Sequence, residues 1–416
     1  MNIKHTALST SLRAPLPANN ELMVGKLSLT QLTQLVGGTP YYAYDRELIT
    51  NRLAQLKQIL PDKILISYAI KANPLSSLVH LMSQHLDGFD VASKKEMLLA
   101  LQTGIPAHKI SFAGPGKTND DLTAAIIAGV LLHVESEGEI TRVNSVAKKL
   151  DLKANIAIRV NPAFELKHSG MKMSGGSKPF GIDEEQIPQI LSDLPLETIN
   201  LRGFHIYSGS QNLSADAIIA SQQQTFALAQ KLSDSTKKMT QSAIDYLNIG
   251  GGFGVPYFEN QQSLDISSIS KNLEALLVKY KTLVKTTNVI IELGRYLVAE
   301  AGVYVCRVID KKVSRGTTYL ICDGGLHHHL ANSGNFGQVI RKNYPLLIGN
   351  KLHNSKLELV NIVGPLCTPL DIIAEKVMLP SAEMNDFVVV FQSGAYGASA
   401  SPKDFLSQPQ LSEILI

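Results

Sequence analysis

The stretch that decides the fold is I-L-I-S-Y-A-I-K-A-N-P, from Ile64 to Pro74. A short apolar run of β-formers bounded by Asn73-Pro74 predicts a buried strand whose last residue is Lys71. Burial disfavours an ammonium and lowers its pKa, which suits an amine that must attack a carbonyl near neutral pH. A lysine that reaches from a strand end into water is the other reading this stretch allows.

Outward from Lys71 the same texture recurs. After Ile64 to Ile70, apolar runs lie at Gly88 to Ala92, Lys109 to Ala113, Leu131 to Glu135, Asn155 to Val160, Asn200 to Tyr207, Ala243 to Ile249 and Val289 to Leu293, with helix-length segments between them. Alternating strands and helices imply a parallel sheet, and eight such units predict an α/β fold, the (β/α)8 TIM barrel, with its active site at the C-terminal strand ends. Polar and glycine residues collect at those ends. They are Lys71, Asp90 and Ser93, Gly114 to Gly116, Glu135 to Glu137, Arg159 and Asn161, His205 with Tyr207 and Ser210, Gly250 to Gly252, and Glu292 with Arg295.

Residues 1–44 are expected to form an N-terminal segment that packs with a second domain, carrying a helix over Leu27 to Thr39 and a strand over Tyr41 to Asp45. The barrel is expected over 45–295. From 296 to 416 the runs Val303 to Ile309, Thr318 to Cys322, Lys356 to Ile362 and Asp386 to Phe391 predict a C-terminal, mostly antiparallel β domain.

Composition narrows the function classes. The 416 residues are 44% hydrophobic, enough for one large and one smaller core. Lys plus Arg exceed Asp plus Glu only by 39 to 36, which makes no electrostatic case for nucleic acid or an acidic membrane surface. Cys306, Cys322 and Cys367 form no C-x-x-C, so neither a disulfide framework nor a zinc site is expected and a cytoplasmic location fits. No stretch approaches about 18 uninterrupted apolar residues, and none near the start has the build of a signal peptide.

Gly250 to Gly252 let backbone N–H groups approach an anion, and Ser210 and Arg295 add donors from the neighbouring strands; a flexible turn is the alternative. In a closed barrel Glu292 on strand eight lies beside Lys71 on strand one. A phosphate site, a lysine and a buried carboxylate facing one cavity are what pyridoxal 5'-phosphate needs. For Glu292 the competing role is an ion pair with Arg295. Cys367 reads as a small buried hydrophobe or as a proton donor. In His327-His328-His329, successive residues of an extended segment point to opposite faces and no acid completes a ligand set, so no metal is expected.

Six motifs occur in order: Y-A-I-K-A-N at Tyr68 to Asn73, G-F-D-V-A-S-K-K-E at Gly88 to Glu96, G-G-G-F-G at Gly250 to Gly254, E-L-G-R at Glu292 to Arg295, G-P-L-C at Gly364 to Cys367 and G-A-Y at Gly394 to Tyr396. With them the chain, from about Thr39 onward, resembles the fold-type III pyridoxal-phosphate decarboxylases, the group of diaminopimelate decarboxylase and eukaryotic-type ornithine decarboxylase. The resemblance implies a barrel followed by a β domain of the alanine racemase/ornithine decarboxylase type, in a homodimer with shared active sites. It implies that Lys71 carries the cofactor, that Glu292 meets its pyridine nitrogen, and that Ser210, Gly251, Gly252, Arg295 and Tyr396 surround its phosphate. Cys367 would reach the neighbouring subunit's cofactor, and Asp90 and Arg159 match further cofactor positions.

Three departures mark this chain. Where diaminopimelate decarboxylases carry Cys-Glu, Cys367 is followed by Thr368. The family's stacking imidazole aligns with Tyr207, with His205 two residues earlier, and the proline of E-P-G-R is Leu293. The loop Ser169 to Asp183 and the C-T-P-L-D tail at Cys367 to Asp371 look more like a side branch that includes exosortase-associated decarboxylases and one acting on glutamate carried as a thioester on an acyl carrier protein. Thr368, Asp371 and His327 are the expected substrate contacts. The expected activity is α-decarboxylation of an amino acid or a carrier-bound aminoacyl group; diaminopimelate decarboxylase, a racemase and a non-catalytic homologue are the alternatives. A loop carrying Lys172 and Lys178 would suit an acidic carrier arm.

Overall fold

Eight strands of the central sheet form its closed ring, to which the short strand Ile182–Asp183 adds beside the fifth: β1 (Ile64–Ala69), β2 (Gly88–Val91), β3 (Ile110–Phe112), β4 (Leu131–Val134), β5 (Ala154–Asn161), β6 (Ile199–His205), β7 (Tyr246–Gly251) and β8 (Asn288–Leu293). Each pairs in parallel with the next, and β8 returns to β1, with Glu292 opposite Ser67, so the sheet closes into a barrel. This computed structural model describes residues 20–165, 171–258, 260–336, 338 and 341–416. The sequence-predicted runs coincide with the strands to within a few residues at either end.

Several barrel strands lead into a helix whose first turn is capped by a side chain. Ser93, Thr118, Ser136 and Ser214 each accept the backbone N–H three residues on. Losing one such cap costs about 1 kcal/mol, so these hydroxyls hold the helix starts, and with them the strand-end loops, in place. At β7 the pairing with β8 slips between Asn248 and Gly251, a local irregularity that bends the chain where the glycines begin.

The chain divides into two compact units. One comprises Leu53–Val255 with Ser263–Gly294, and holds the barrel; the other comprises the described residues through Arg52, Pro256–Gln262 and Arg295–Ile416. In the second unit the strand Gly302–Ser314 pairs antiparallel with Tyr41–Tyr44, Thr317–Cys322 and Phe387–Val390. Leu357–Val363 and Ile372–Pro380 extend the sheet antiparallel to one another. Two pairings are parallel, Thr317–Cys322 with Leu357–Val363 and Ser412–Leu415 with Tyr41–Tyr44, so the sheet is mixed. Its core joins Leu29, Leu32, Tyr41, Val303, Val305 and Val389. The helix spans Leu29–Val36 because Ser28 and Gln31 form a capping box and Gly37, at φ 91°, ends it.

Two sequence expectations change. β1 ends at Ala69, and Lys71 sits in a single 3-10 turn, Ile70–Ala72, rather than at the strand's last position. His327-His328-His329 is not extended: the N–H groups of His328 and His329 both donate to the Gly325 carbonyl at 3.0 Å, and the His327 and His328 rings lie 3.7 Å apart. Among the described residues no three His, Cys, Asp or Glu side chains converge as a metal set, and no helix is long and apolar enough to cross a membrane.

Candidate active site

At the C-terminal mouth of the barrel Lys71 stands between two buried carboxyl groups. Its Nζ is 3.0 Å from Glu292 Oε1 and 3.3 Å from Asp90 Oδ2. The lysine side chain itself is 37% exposed, so it is positioned by two charges rather than by the desolvation the sequence suggested. The Tyr207 ring centroid lies 5.9 Å from Nζ.

The two acids differ in their surroundings. Burial and the neighbouring Glu292 carboxylate push Asp90 up to about 8, against the pull of Lys71, while Ser111 donates to its Oδ1 at 3.0 Å. Burial also acts to raise Glu292, but Lys71 and His205 overcome it and hold the carboxyl well below the usual range. Glu292 Oε2 lies 3.4 Å from His205 Nε2 without hydrogen-bond geometry, and is a buried acceptor with no hydrogen bond among the described residues. The His205 imidazole is held below its ordinary range by burial.

The glycine loop follows. Gly250 and Gly252 adopt φ 68° and 72°, in the left-handed region. A Cβ on Gly251 would stand 2.2 Å from the Glu292 carbonyl oxygen, so only glycine allows β7 and β8 to run this close. Asn212 N–H donates to the Gly252 carbonyl at 2.9 Å, which knits the loop after β6 to the glycines. On that first loop Ser210 Oγ is buried and has no hydrogen-bond partner among the described residues. An unpartnered hydroxyl beside a glycine turn is a donor set suited to a phosphate.

Arg159 on β5 gives Nη1 to both oxygens of Glu135, at 3.0 and 3.1 Å, under the Phe180 ring. The same carboxylate accepts the N–H groups of Gly114 and Gly181, at 2.6 and 3.2 Å. Three strand-end loops are therefore tied through Glu135, a link that register and not sequence reveals.

The second unit carries the remaining candidates. Arg295 Nη1 donates to Tyr257 Oη at 2.7 Å, and its guanidinium lies 4.6 Å from the Tyr396 ring centroid. Tyr396 itself has φ 55°, uncommon for a bulky residue. Cys367 is exposed, which does not fit a small buried hydrophobe. Thr368 Oγ1 accepts the Leu370 N–H at 3.3 Å. Asp371 is buried, and its two oxygens accept the N–H groups of Leu326 at 2.6 Å and Leu366 at 2.8 Å. His327 is fully buried. Of the loop Ser169 to Asp183, Ser169 and the Lys172 side chain lie outside the described residues; Lys178 is half-buried.

Sequence reasoning passed over His133, Tyr246 and Asn248. All three face the barrel interior, where His133 Nε2 meets Tyr246 Oη at 3.0 Å. Their signal was period-two alternation within L-L-H-V and Y-L-N-I, which an apolar run disguises.

The family profile "Pyridoxal-dependent decarboxylase, pyridoxal binding domain" matches residues 46–299. The chain is 37% identical over 383 residues to L-glutamyl-[BtrI acyl-carrier protein] decarboxylase of Niallia circulans, covering 91% of this chain and 88% of that one. It is 32% identical to 2-[(L-alanin-3-ylcarbamoyl)methyl]-2-hydroxybutanedioate decarboxylase of Staphylococcus aureus, covering 89% and 92%. Among solved structures, diaminopimelate decarboxylase of Methanocaldococcus jannaschii superposes with a TM-score of 0.84 at 26% identity, covering 95% of this chain and 91% of that one. A lysine held by two carboxyl groups beside a glycine turn is thus found in a chain that belongs to the pyridoxal-dependent decarboxylases, carboxy-lyases whose cofactor is pyridoxal 5'-phosphate.

Proposed function

We propose that this decarboxylase acts, as a homodimer in the cytoplasm, on an α-amino acid whose distal end bears no ammonium, either a carrier-bound glutamyl thioester or an acid-bearing amino acid. One observation carries the substrate choice. The loop Gly364 to Asp371 contains a single acid, Asp371, and both of its oxygens are engaged by the Leu326 and Leu366 N–H groups. Thr368 therefore offers only a hydroxyl where a distal ammonium would require a carboxylate, and leaving such a charge unpaired costs several kcal/mol of binding, roughly 2–5. The substrates named for the two relatives, a glutamyl group on a carrier and a hydroxybutanedioate, agree in having no distal amine in their names.

The residues fit the cofactor. Lys71 supplies the amine for its aldehyde, Glu292 Oε2 is a buried acceptor available to a ring N–H, and Ser210 with Gly251 and Gly252 forms a cradle for its phosphate. Arg295 and Tyr396 are assigned to the same phosphate by their motifs, and Tyr207 takes the stacking position. When bound, the cofactor supplies an electron-withdrawing ring that takes up the electrons left at Cα as the carboxylate departs. Glu292, kept ionised by Lys71 and His205, stabilises positive charge at the ring nitrogen. Lys71 would hold the cofactor aldehyde, yield it to the incoming substrate amine and take it back as the product amine leaves. Cys367, exposed on its loop, delivers a proton from Sγ to Cα of the substrate in the partner subunit's site. Asp371 serves by shaping that loop.

Replacing Thr368 by Glu tests the assignment. The Thr368→Glu enzyme should gain CO2 release from meso-diaminopimelate by about tenfold or more in kcat/KM, as expected for a new buried charge pair. No gain in a folded, cofactor-loaded variant would remove Thr368 from substrate selection.

A further inference from the structure

Inside the barrel four side chains from alternate strands meet in one layer: Asp90 on β2, His133 on β4, His205 on β6 and Glu292 on β8. Layers of four from alternate strands fill such barrels, ordinarily with branched apolar residues. Here all four are ionisable, and all four are buried. His133 Nδ1 is 3.9 Å from Asp90 Oδ1, the His133 and His205 ring centroids are 4.3 Å apart, and His205 Nε2 is 3.4 Å from Glu292 Oε2. Lys71 bridges the two carboxyl groups.

A hydrogen-bond chain stands behind His133. The Gly250 N–H donates to Asn248 Oδ1 at 2.8 Å, so the Asn248 amide must present Nδ2 elsewhere, and it reaches Tyr246 Oη at 3.4 Å. A phenol that accepts from Asn248 can give its own proton to His133 Nε2, 3.0 Å away. With Nε2 accepting, the imidazole proton stands on Nδ1, on the side of Asp90 and 3.9 Å from its Oδ1, without a hydrogen bond among the described residues.

Two buried carboxyl groups around one ammonium leave an excess negative charge if both ionise, so they share a proton at neutral pH. Which one keeps it depends on their other partners. Asp90 has Ser111, and Glu292 has His205, whose ring orientation is set by packing on His133. Two imidazoles in contact do not both become cations. Burial, His205, Lys117 and Arg159 all oppose charging of His133, while Glu292 favours it; Arg159 opposes and Glu135 and Glu292 favour charging of His205. Burial keeps the Tyr246 phenol protonated.

We propose that His133 is a positioning residue of the decarboxylation: neutral, with Nδ1–H toward Asp90, it fixes the His205 ring against Glu292 and so leaves Glu292, not Asp90, as the ionised carboxylate. This rests on the assignment of Glu292 to the cofactor nitrogen, deepens it, and brings into the reaction a residue that touches neither cofactor nor substrate.

Two measurements test it. In the cofactor-free protein, nitrogen-resolved NMR of the imidazoles should show His133 neutral and protonated on Nδ1 throughout the range around the ordinary histidine pKa, about pH 5.5 to 8.5. A cationic His133 or an Nε2–H tautomer overturns the proposal. In the holoenzyme, His133→Phe frees the His205 ring and makes Glu292 easier to protonate. The acid limb of kcat and of the bound cofactor's visible absorbance should then move to higher pH by about one unit, with KM changed less than about threefold. Tyr246→Phe, which removes only the anchor, should move both the same way by less, and decides the matter should the first variant not fold. Unmoved limbs in the folded variants overturn the role of His133. Glu292→Gln separates the two levels: an acid limb that survives it refutes the Glu292 assignment itself, whereas a limb that vanishes there and stays put in the His133 variant refutes only the inference.

Discussion

Glu292 Oε1 lies 3.0 Å from Lys71 Nζ although 221 residues separate them, because β8 closes the barrel on β1 with Glu292 opposite Ser67 and a single 3-10 turn brings Lys71 back over the strand end. The pair exists only if the eighth strand returns to the first. Site and fold are therefore one claim, and damage to the closure is damage to the chemistry.

The lysine is the first test. Lys71→Ala should lose covalent cofactor attachment and at least about three orders of magnitude in kcat, as for loss of a covalent catalyst. Mass spectrometry after borohydride reduction measures the attachment directly. A cofactor mass still fixed to the Lys71→Ala protein would place the attachment elsewhere.

The glycine seam gives a prediction from packing. Gly251→Ala puts a methyl group 2.2 Å from the Glu292 carbonyl oxygen, so β8 must shift at the residue that carries the carboxylate. Stability should fall by roughly 1–3 kcal/mol and cofactor affinity with it. Gly138→Ala, in the exposed first turn of the helix Glu137–Leu150 with nothing within 4 Å of the new Cβ, should instead be neutral or stabilise by up to about 1 kcal/mol. Urea titrations of the two variants decide whether close approach is the reason for glycine here.

The proton on Asp90 gives a pH dependence with a definite sign. Its pKa rises from an ordinary 3.8 to about 8 on folding, so within that window the folded chain holds a proton that the unfolded chain has released, and stability falls as pH rises. The buried histidines, whose pKa values are lowered, work in the opposite direction but only below their ordinary 6.5. Between about pH 6.5 and 8 the cofactor-free protein should therefore lose roughly 2 kcal/mol from this one group. Asp90→Asn should remove that loss; an identical decline in the variant would show that Asp90 is already ionised.

The dimer prediction concerns Cys367. If its thiol serves the partner subunit, mixing inactive Lys71→Ala with inactive Cys367→Ala subunits should restore one complete site per heterodimer, about a quarter of wild-type activity after statistical exchange. No recovery after verified exchange would place Cys367 in its own subunit's site or outside catalysis.

Much of this was legible because short apolar runs bounded by turn residues mark strands whatever their neighbours do. Ile64–Ala69 and Gly88–Val91 could be read from their own residues, and alternation with helices made the sheet parallel. Lys71 reads as the strand's last residue, two positions past the actual end at Ala69, because Ile70-Lys71-Ala72 continues the apolar texture and only Asn73-Pro74 announces a stop. Asp371 looked like a substrate contact because the amides that hold it, Leu326 and Leu366, meet it only in three dimensions. His133 was hidden more thoroughly: in L-L-H-V it is one polar residue in a buried strand, and its partners come from three other strands.

The most direct measurement compares substrates. CO2 release should be followed from meso-diaminopimelate and from L-glutamate loaded as a thioester on an acyl carrier protein, at equal cofactor occupancy. The carrier-bound glutamyl group should reach a kcat/KM of about 10⁴ M⁻¹s⁻¹ or above, the ordinary enzymatic range, and meso-diaminopimelate should fall at least about a hundredfold below it. Decarboxylation of meso-diaminopimelate at about 10⁴ M⁻¹s⁻¹ or above would overturn the role given to Thr368 and make the chain a diaminopimelate decarboxylase.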